Sequence, residues 1–456
     1  MLVQTKVLSL RKKAAIRRSV ACLLLLIVVS FAILIRFVVN FFGTEFHIEQ
    51  MFWVQKVIDI VILSMVICFT LVILYCVIFI LIDGGLLKHK DFKLAIRYHF
   101  LKNKIDKAFI NTKTYNVVKV ISEKELLAHT PKLLITDDYT IRIENLSGST
   151  EKLENFKKTL SALLDKGFIC ETFQIDMEQN YFVAKLINLK ANNQKVIEDL
   201  EGFLEFINET NSYQIRIMPK FHIDLSKTPH MLIAGETGSG KSYLLYMVIY
   251  SQILKGCEMY LVDRKKVLTK FSAIVGTDHV ASEKEDIFEV VREVEKIMDD
   301  RESQLSKKYS NDVDVDFRKL DLKPLFLVID EMGSLMSELD NKESKALIKI
   351  IQSIAQRGRA SGVNLIISMQ QPNANNLPTA IRDQLTFKTV LGNTDDTTKH
   401  LVFKASDLMD INFDKGQGYY TNSGEQNHPG ILFVPTFKFK LDIQNLKELR
   451  RLNKQD

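Results

Sequence analysis

Gly235, Glu236, Thr237, Gly238, Ser239, Gly240, Lys241 and Ser242 satisfy the pattern G-x-x-x-x-G-K-S/T. Glycines at this spacing let successive backbone N–H groups turn toward phosphate oxygens. Lys241 then reaches the β and γ phosphates, and the Ser242 hydroxyl ligates magnesium. The pattern also arises by chance, as a glycine-rich turn, so its setting decides. It follows an apolar strand, Met231 to Ala234, and opens a helical run, Tyr243 to Leu254. Farther on, Leu325 to Ile329 reads as a buried strand ending in Asp330 and Glu331. Asp330 fits the carboxylate that holds the metal, and Glu331 fits the group that positions and polarises the attacking water. In that order the two constellations predict hydrolysis of a nucleoside triphosphate, with ATP and Mg2+ as the expected pair.

The elements that must position this chemistry are short continuous apolar runs. Met231 to Ala234, Met259 to Val262, Leu325 to Ile329 and Val363 to Ile367 each lead toward a helical pattern or a polar tip. That pattern predicts an α/β domain over 220–440 whose mostly parallel sheet is covered on both faces. The charged stretch from Ser303 to Lys323 reads as a helix end and surface loop, and 441–456 as a C-terminal tail. Residues 114–219 read as a small α+β module. Lys132 to Ile135 and Thr140 to Glu144 are its first strands, around a turn at Asp137 and Asp138. A helix follows over Thr150 to Lys166, then a hairpin of Phe168 to Asp176 with Asn180 to Asn188, then a second helix over Gln194 to Ile207.

Val20 to Phe42 is apolar apart from Ser30, Arg36 and Asn40, and Ile60 to Ile82 carries no charge. Runs of this length reach roughly 30 Å as helices, the thickness of a hydrocarbon core. Two transmembrane helices are therefore expected over 20–82, with Arg36 near enough to one end to snorkel. Residues 1–107 hold 15 Lys and Arg against 6 Asp and Glu, a net of +9 where the whole chain carries +6, so the remainder is at −3. The basic charge thus flanks the spans, in the tail 1–19 and the linker 83–113. By the positive-inside rule it places both termini in the cytoplasm and the short loop outside. It reports topology and lipid head groups rather than nucleic acid. The five cysteines form no CxxC or Cys/His cluster, so neither a zinc site nor a disulfide framework is supported. An ABC transporter is excluded by order, since the one string like its signature, Leu146 to Ser149, precedes the phosphate loop.

Thr228 to Ser242 resembles the extended phosphate-loop entry of the FtsK/SpoIIIE family of membrane-anchored DNA motors, including Pro229 and His230 before the strand. Arg359 to Pro372 is similar to the family's segment of arginine, small residues, strand and T-Q-R-P. Met369 stands for the Thr and Gln371 for the Arg, so Gln370 and Pro372 carry over. Asp263 and Lys265 match the ends of the family's Asp-Pro-Lys, and Lys415 to Tyr419 resembles its late glycine hairpin. Two spans, a short module and one motor domain, with Ile381 to Gln384 after the Gln-Pro segment, are closest in plan to coupling proteins of Gram-positive integrative conjugative elements.

The resemblance implies a RecA-like motor domain working as a homo-hexamer around DNA at the cell membrane, each nucleotide lying between neighbours. A basic side chain from the next subunit would stabilise the transferring phosphoryl group. Arg359 is the first candidate, with Arg357 and Arg382 behind it and surface or salt-bridged arginine as the alternative. Gln370 would sense hydrolysis from a strand tip, and Arg264, Lys265 and Lys266 would face DNA or form a solvated turn. The implied partners are a relaxase and the secretion-channel proteins of a conjugative element. The alternatives are a chromosome-segregation DNA translocase, a protein-secretion ATPase and a non-motor NTP-dependent switch.

Overall fold

The computed structural model describes residues 6–9, 28, 31, 33, 35–38, 51–122, 125–136, 140–189, 194–312, 314–404, 408, 411–423 and 429–454. The chain forms two compact units, 1–190 and 191–456.

In the first unit a 33-residue helix, Met51–Asp83, contains the second expected span. Its 22-residue stretch Ile62–Asp83, with a mean hydropathy of 3.2 in its 18-residue window, is long and apolar enough to cross a bilayer. Leu63, Leu71 and Leu74 leave more than half their surface exposed. An apolar helix with so little of itself buried against protein suits a lipid environment. The first expected span lies mostly outside the described residues; those described between 28 and 38 are helical. Arg36, expected to snorkel, has its Nε 3.1 Å from Asp59.

The expected linker 83–113 is largely a helix. Asp91 caps Phe92–Asn111 by accepting from the Leu94 N–H, and Ala95, Tyr98, Ile105, Ala108 and Phe109 form its buried stripe. Tyr98, Ile105, Ala108 and Phe109 of that stripe pack with Leu153, Phe156 and Leu160, from helices Thr150–Glu154 and Phe156–Leu163, against a four-stranded antiparallel sheet. The sheet order is Leu133–Thr136, Thr140–Glu144, Tyr181–Asn188, Phe168–Asp176. The turn expected at Asp137 and Asp138 lies outside the described residues.

The second unit is built on an eight-stranded sheet. Its order is Val280–Ala281, Glu258–Asp263, Leu325–Asp330, Val363–Met369, Met231–Gly235, Phe387–Leu391, Gln417–Asn422, Gly430–Phe433. Pairing is parallel through the first six strands and antiparallel for the last two. Alternate residues serve opposite faces, as strand geometry requires. Met231, Ile233, Phe326 and Val328 face one core, where helix Lys241–Leu254 lies. Leu232, Ala234, Leu327 and Ile329 face the other, beneath helices Lys284–Lys308 and Asn341–Ser361.

The boundary between the units falls well before 219. Helix Leu200–Asn208 and the hairpin Gln214–Met218 with Phe221–Asp224 bury Phe203, Phe206, Ile207, Ile215 and Ile217 in the first of these cores. Strand Val196–Ile197 precedes that helix, where a longer helix is expected, and pairs with Thr436–Phe437. The expected tail is likewise packed, as helix Ile443–Leu452 with Leu446 and Leu449 buried in the same core. Apolar periodicity places each of these segments by what it covers, not by its neighbours in the chain.

Candidate nucleotide-binding site

Ile233 and Asp330 both lie level with Ser368 on the strand between them. The phosphate loop and the acidic pair therefore leave the same edge of the sheet, two strand spacings apart, or about 9.6 Å. The expected union of loop and carboxylates at one end of the fold is present.

The loop holds its shape through its glycines and through the far hairpin. Gly235, with φ +143, brings its backbone against Leu391, where a Cβ would sit 2.4 Å from the carbonyl oxygen. Gly240, with φ +106, would place a Cβ 2.9 Å from the Gly416 nitrogen, and the Gly416 N–H donates to the Ser239 carbonyl at 2.9 Å. The hairpin read from Lys415 to Tyr419 thus braces the loop from behind, and the Lys415 ammonium sits 4.7 Å over the Tyr243 ring. Gly240→Ala is expected to cost about 1–2 kcal/mol from the left-handed backbone alone. A weaker fluorescent-nucleotide affinity, against a chain that is otherwise folded, checks it.

Glu236, Thr237 and Gly238 are exposed at the loop tip, while Ser239 is buried with its hydroxyl unpartnered among the described residues. That orphaned hydroxyl and the turned glycine backbone fit a phosphate group. Lys241 donates from Nζ to the Gly235 carbonyl at 2.6 Å and the Glu236 carbonyl at 3.1 Å. Burial pushes its pKa down, against the pull of Glu331 and Asp330. Ser242 is exposed at the start of the helix. Burial pushes the Asp330 carboxyl up, against a hydrogen bond with Ser368. A hydroxyl and a carboxylate of this kind are the hard oxygen donors that magnesium takes.

Glu331 sits at φ +56 ahead of helix Met332–Glu338, and its Oε2 is 3.1 Å from the Lys265 ammonium. The cavity in front of it, about 690 Å³, is lined by Thr237, Lys265, Glu331, Gln370 and Asn376 among others. Gln370 reaches across to the loop, its Nε2 3.4 Å from Thr237 Oγ1.

The arginines divide. Arg359 lies at the C-terminal end of helix Asn341–Ser361, at the opposite edge of the sheet, and donates from Nε to the Ser226 carbonyl at 2.8 Å. Arg357, beside it, is held by Asp299 and Glu302. Arg382 is buried and donates to the Pro372 carbonyl at 2.6 Å and to Thr379. It is spent within its own subunit, on the loop that follows Gln370. Arg264 is occupied by Ser282, Glu283 and Glu338, and Lys266, though exposed, by Glu283, so both are paired within the chain. The turn also hides its organiser: Asp263, fully buried, accepts from the N–H groups of Lys265, Val267 and Leu268. Thr237 belongs to the phosphate-loop motif, whereas Asn376 carries no motif of its own, and its only sequence signal is its nearness to Gln370.

Residues 213–321 match the model of the FtsK/SpoIIIE family. The chain is 25% identical to the Ftsk domain-containing protein YdcQ of Bacillus subtilis over 332 residues, 72% of this chain and 68% of that one. It is 32% identical to the DNA translocase FtsK of Helicobacter pylori over 179 residues, which is 36% of this chain and 20% of that one. It thus spans two thirds of YdcQ but a much smaller share of the translocase. Among solved structures, the pCW3 conjugation coupling protein TcpA with ATPγS superposes with a TM-score of 0.48 at 19% identity, over 77% of this chain and 99% of that one. With the phosphate loop, the acidic strand and the family match falling on one domain, the chain carries an FtsK/SpoIIIE family segment.

Proposed function

We propose that the chain is a membrane-anchored, ATP-driven DNA translocase that serves as the coupling protein in conjugative DNA transfer. In this reading six copies ring the DNA and pass a relaxase-bound strand toward secretion-channel proteins. The observation that carries the motor reading is the convergence of the loop 235–242, Asp330, Glu331 and Gln370 on one sheet edge, in a chain with an apolar helix of membrane-spanning length ahead of it. The conjugative role is supported by the order of apolar span, short module and motor domain, and by Ile381 to Gln384 after the Gln-Pro segment.

Lys241 gives its ammonium to the β and γ phosphates and the loop amides hold their oxygens. Glu331 orients the attacking water and takes its proton. Gln370 contacts the loop at Thr237 and so links the γ position to the segment Gln371 to Arg382. Ser242 and Asp330 would hold a magnesium ion, which supplies charge neutralisation on the phosphate oxygens. Arg359, exposed at the far edge, is the arginine we assign to a neighbouring subunit's site, where it would leave the Ser226 carbonyl to act.

The full-length chain in lipid nanodiscs should hydrolyse ATP faster when DNA is added. Lys241→Ala should bind nucleotide poorly and lose both basal and stimulated hydrolysis. An assembled ring that hydrolyses ATP at the same rate with and without DNA would remove the nucleic-acid cargo. The similarity to proteins named DNA translocase FtsK favours a second reading, a chromosome-segregation motor. Deletion of the gene separates the two, by loss of element transfer in one case and of chromosome partition in the other.

A further inference from the structure

We propose that Lys265 is a positioning residue that latches Glu331, and that a phosphate oxygen draws it off. The inference rests on the reading of Glu331 as the group that activates water. The two side chains come from adjacent strands, whose ends Asp263 and Asp330 stand opposite each other in register. The Lys265 ammonium lies 3.1 Å from Glu331 Oε2.

Three observations make this a built contact. First, the turn is rigid: the buried Asp263 carboxylate accepts three consecutive-turn N–H bonds, of 2.8, 2.5 and 2.7 Å, and Lys266 is held at φ +58. Second, Glu331 starts from a left-handed backbone, so its carboxylate is aimed by the chain as well as by its rotamer. Third, the basic residues at this turn are sorted. Arg264 and Lys266 are tied to Glu283, and Arg264 also to Glu338, while Lys265 turns to the site. Lys241, the other ammonium near Glu331, is engaged by the Gly235 and Glu236 carbonyls.

The two ends of the contact differ in freedom. The Glu331 side chain is 13% exposed and the Lys265 side chain 49%. The ammonium is therefore the partner that can leave, along a four-carbon stem already at the surface. While it stays, it occupies an oxygen needed to accept the water's proton. A partly exposed ion pair holds its partners together only a few-fold over separation, little enough for a phosphate oxygen to outbid. That oxygen belongs either to the γ-phosphate in the shared cavity or to a nucleic-acid backbone reaching the exposed turn.

The test compares the full-length wild-type chain with Lys265→Met and Lys265→Arg in nanodiscs, by steady-state ATP hydrolysis and fluorescent-nucleotide affinity. Without DNA, Lys265→Met should raise kcat roughly two- to fivefold at unchanged affinity, and Lys265→Arg should keep the wild-type rate. If DNA then stimulates the wild type but not Lys265→Met, the nucleic-acid backbone is the releasing source. Equal stimulation of both assigns release to the nucleotide. An unchanged or lower kcat in Lys265→Met, with affinity intact, overturns the latch alone. A wild-type chain that binds no nucleotide overturns the site and the latch together.

Discussion

Glu331→Gln is expected to bind nucleotide as tightly as the wild type and to hydrolyse it about 10²–10⁴ times more slowly, the usual loss when a positioned proton acceptor is removed. The amide has the size of the carboxylate, so the left-handed start of helix Met332–Glu338 and the neighbouring Gly333 and Asn376 need not move. What it lacks is a site for the water's proton. Phosphate binding is supplied elsewhere, by the loop amides and Lys241, so affinity and turnover separate. Lys241→Ala should show the reverse order of loss, in binding first. Single-turnover hydrolysis beside a nucleotide titration measures both. A fall of less than tenfold in Glu331→Gln would move the activating role to another group in the cavity, with Asp330 the nearest carboxylate along the chain.

The parts of this site that were legible in sequence are those whose chemistry is carried by contiguous residues. The loop 235–242 and the strand ending in Asp330 and Glu331 announce themselves because a phosphate cradle needs successive amides, and a metal carboxylate needs a buried strand to end on. What the sequence concealed was pairing across distance. Lys265 and Glu331 are 66 positions apart and meet only because their strands are neighbours. Arg382 reads as an arginine free to act on a neighbour until the fold buries it beneath the Pro372 carbonyl.

Two segments conceal their partners for a different reason. In 92–111, charged residues outnumber the stripe of Ala95, Tyr98, Ile105, Ala108 and Phe109, so an amphipathic helix resembles a linker. Its spacing of three and four was the available signal. Helix Leu200–Asn208 follows the preceding module in the chain, although its apolar face belongs to the motor core.

Acid should weaken the motor unit, by about 3 kcal/mol between pH 6.5 and pH 4 from one histidine. His230 opens the strand that leads into the phosphate loop and is fully buried. Its Nδ1 accepts from the Leu365 N–H at 3.0 Å, and its carbonyl accepts from the Phe387 N–H at 2.9 Å, so the residue joins three central strands. Gly358 packs against the ring, where a Cβ would lie 3.1 Å from Cε1. Burial drives the imidazole pKa down from 6.5 to about 4, against a smaller upward pull from the Ala355 backbone. Protonating Nδ1 would also break the Leu365 bond. Between these two values the unfolded chain binds the extra proton and the folded chain does not. The stability is therefore complete above pH 6.5 and falls by about 1.4 kcal/mol per pH unit until the folded group titrates. Carboxylates add their own losses at low pH, so the comparison that isolates His230 is with His230→Gln. That variant should be less stable at pH 7 and show a flatter decline toward pH 4, read by urea unfolding followed by limited proteolysis of the motor unit. Parallel declines in the two proteins would assign the acid sensitivity to other groups.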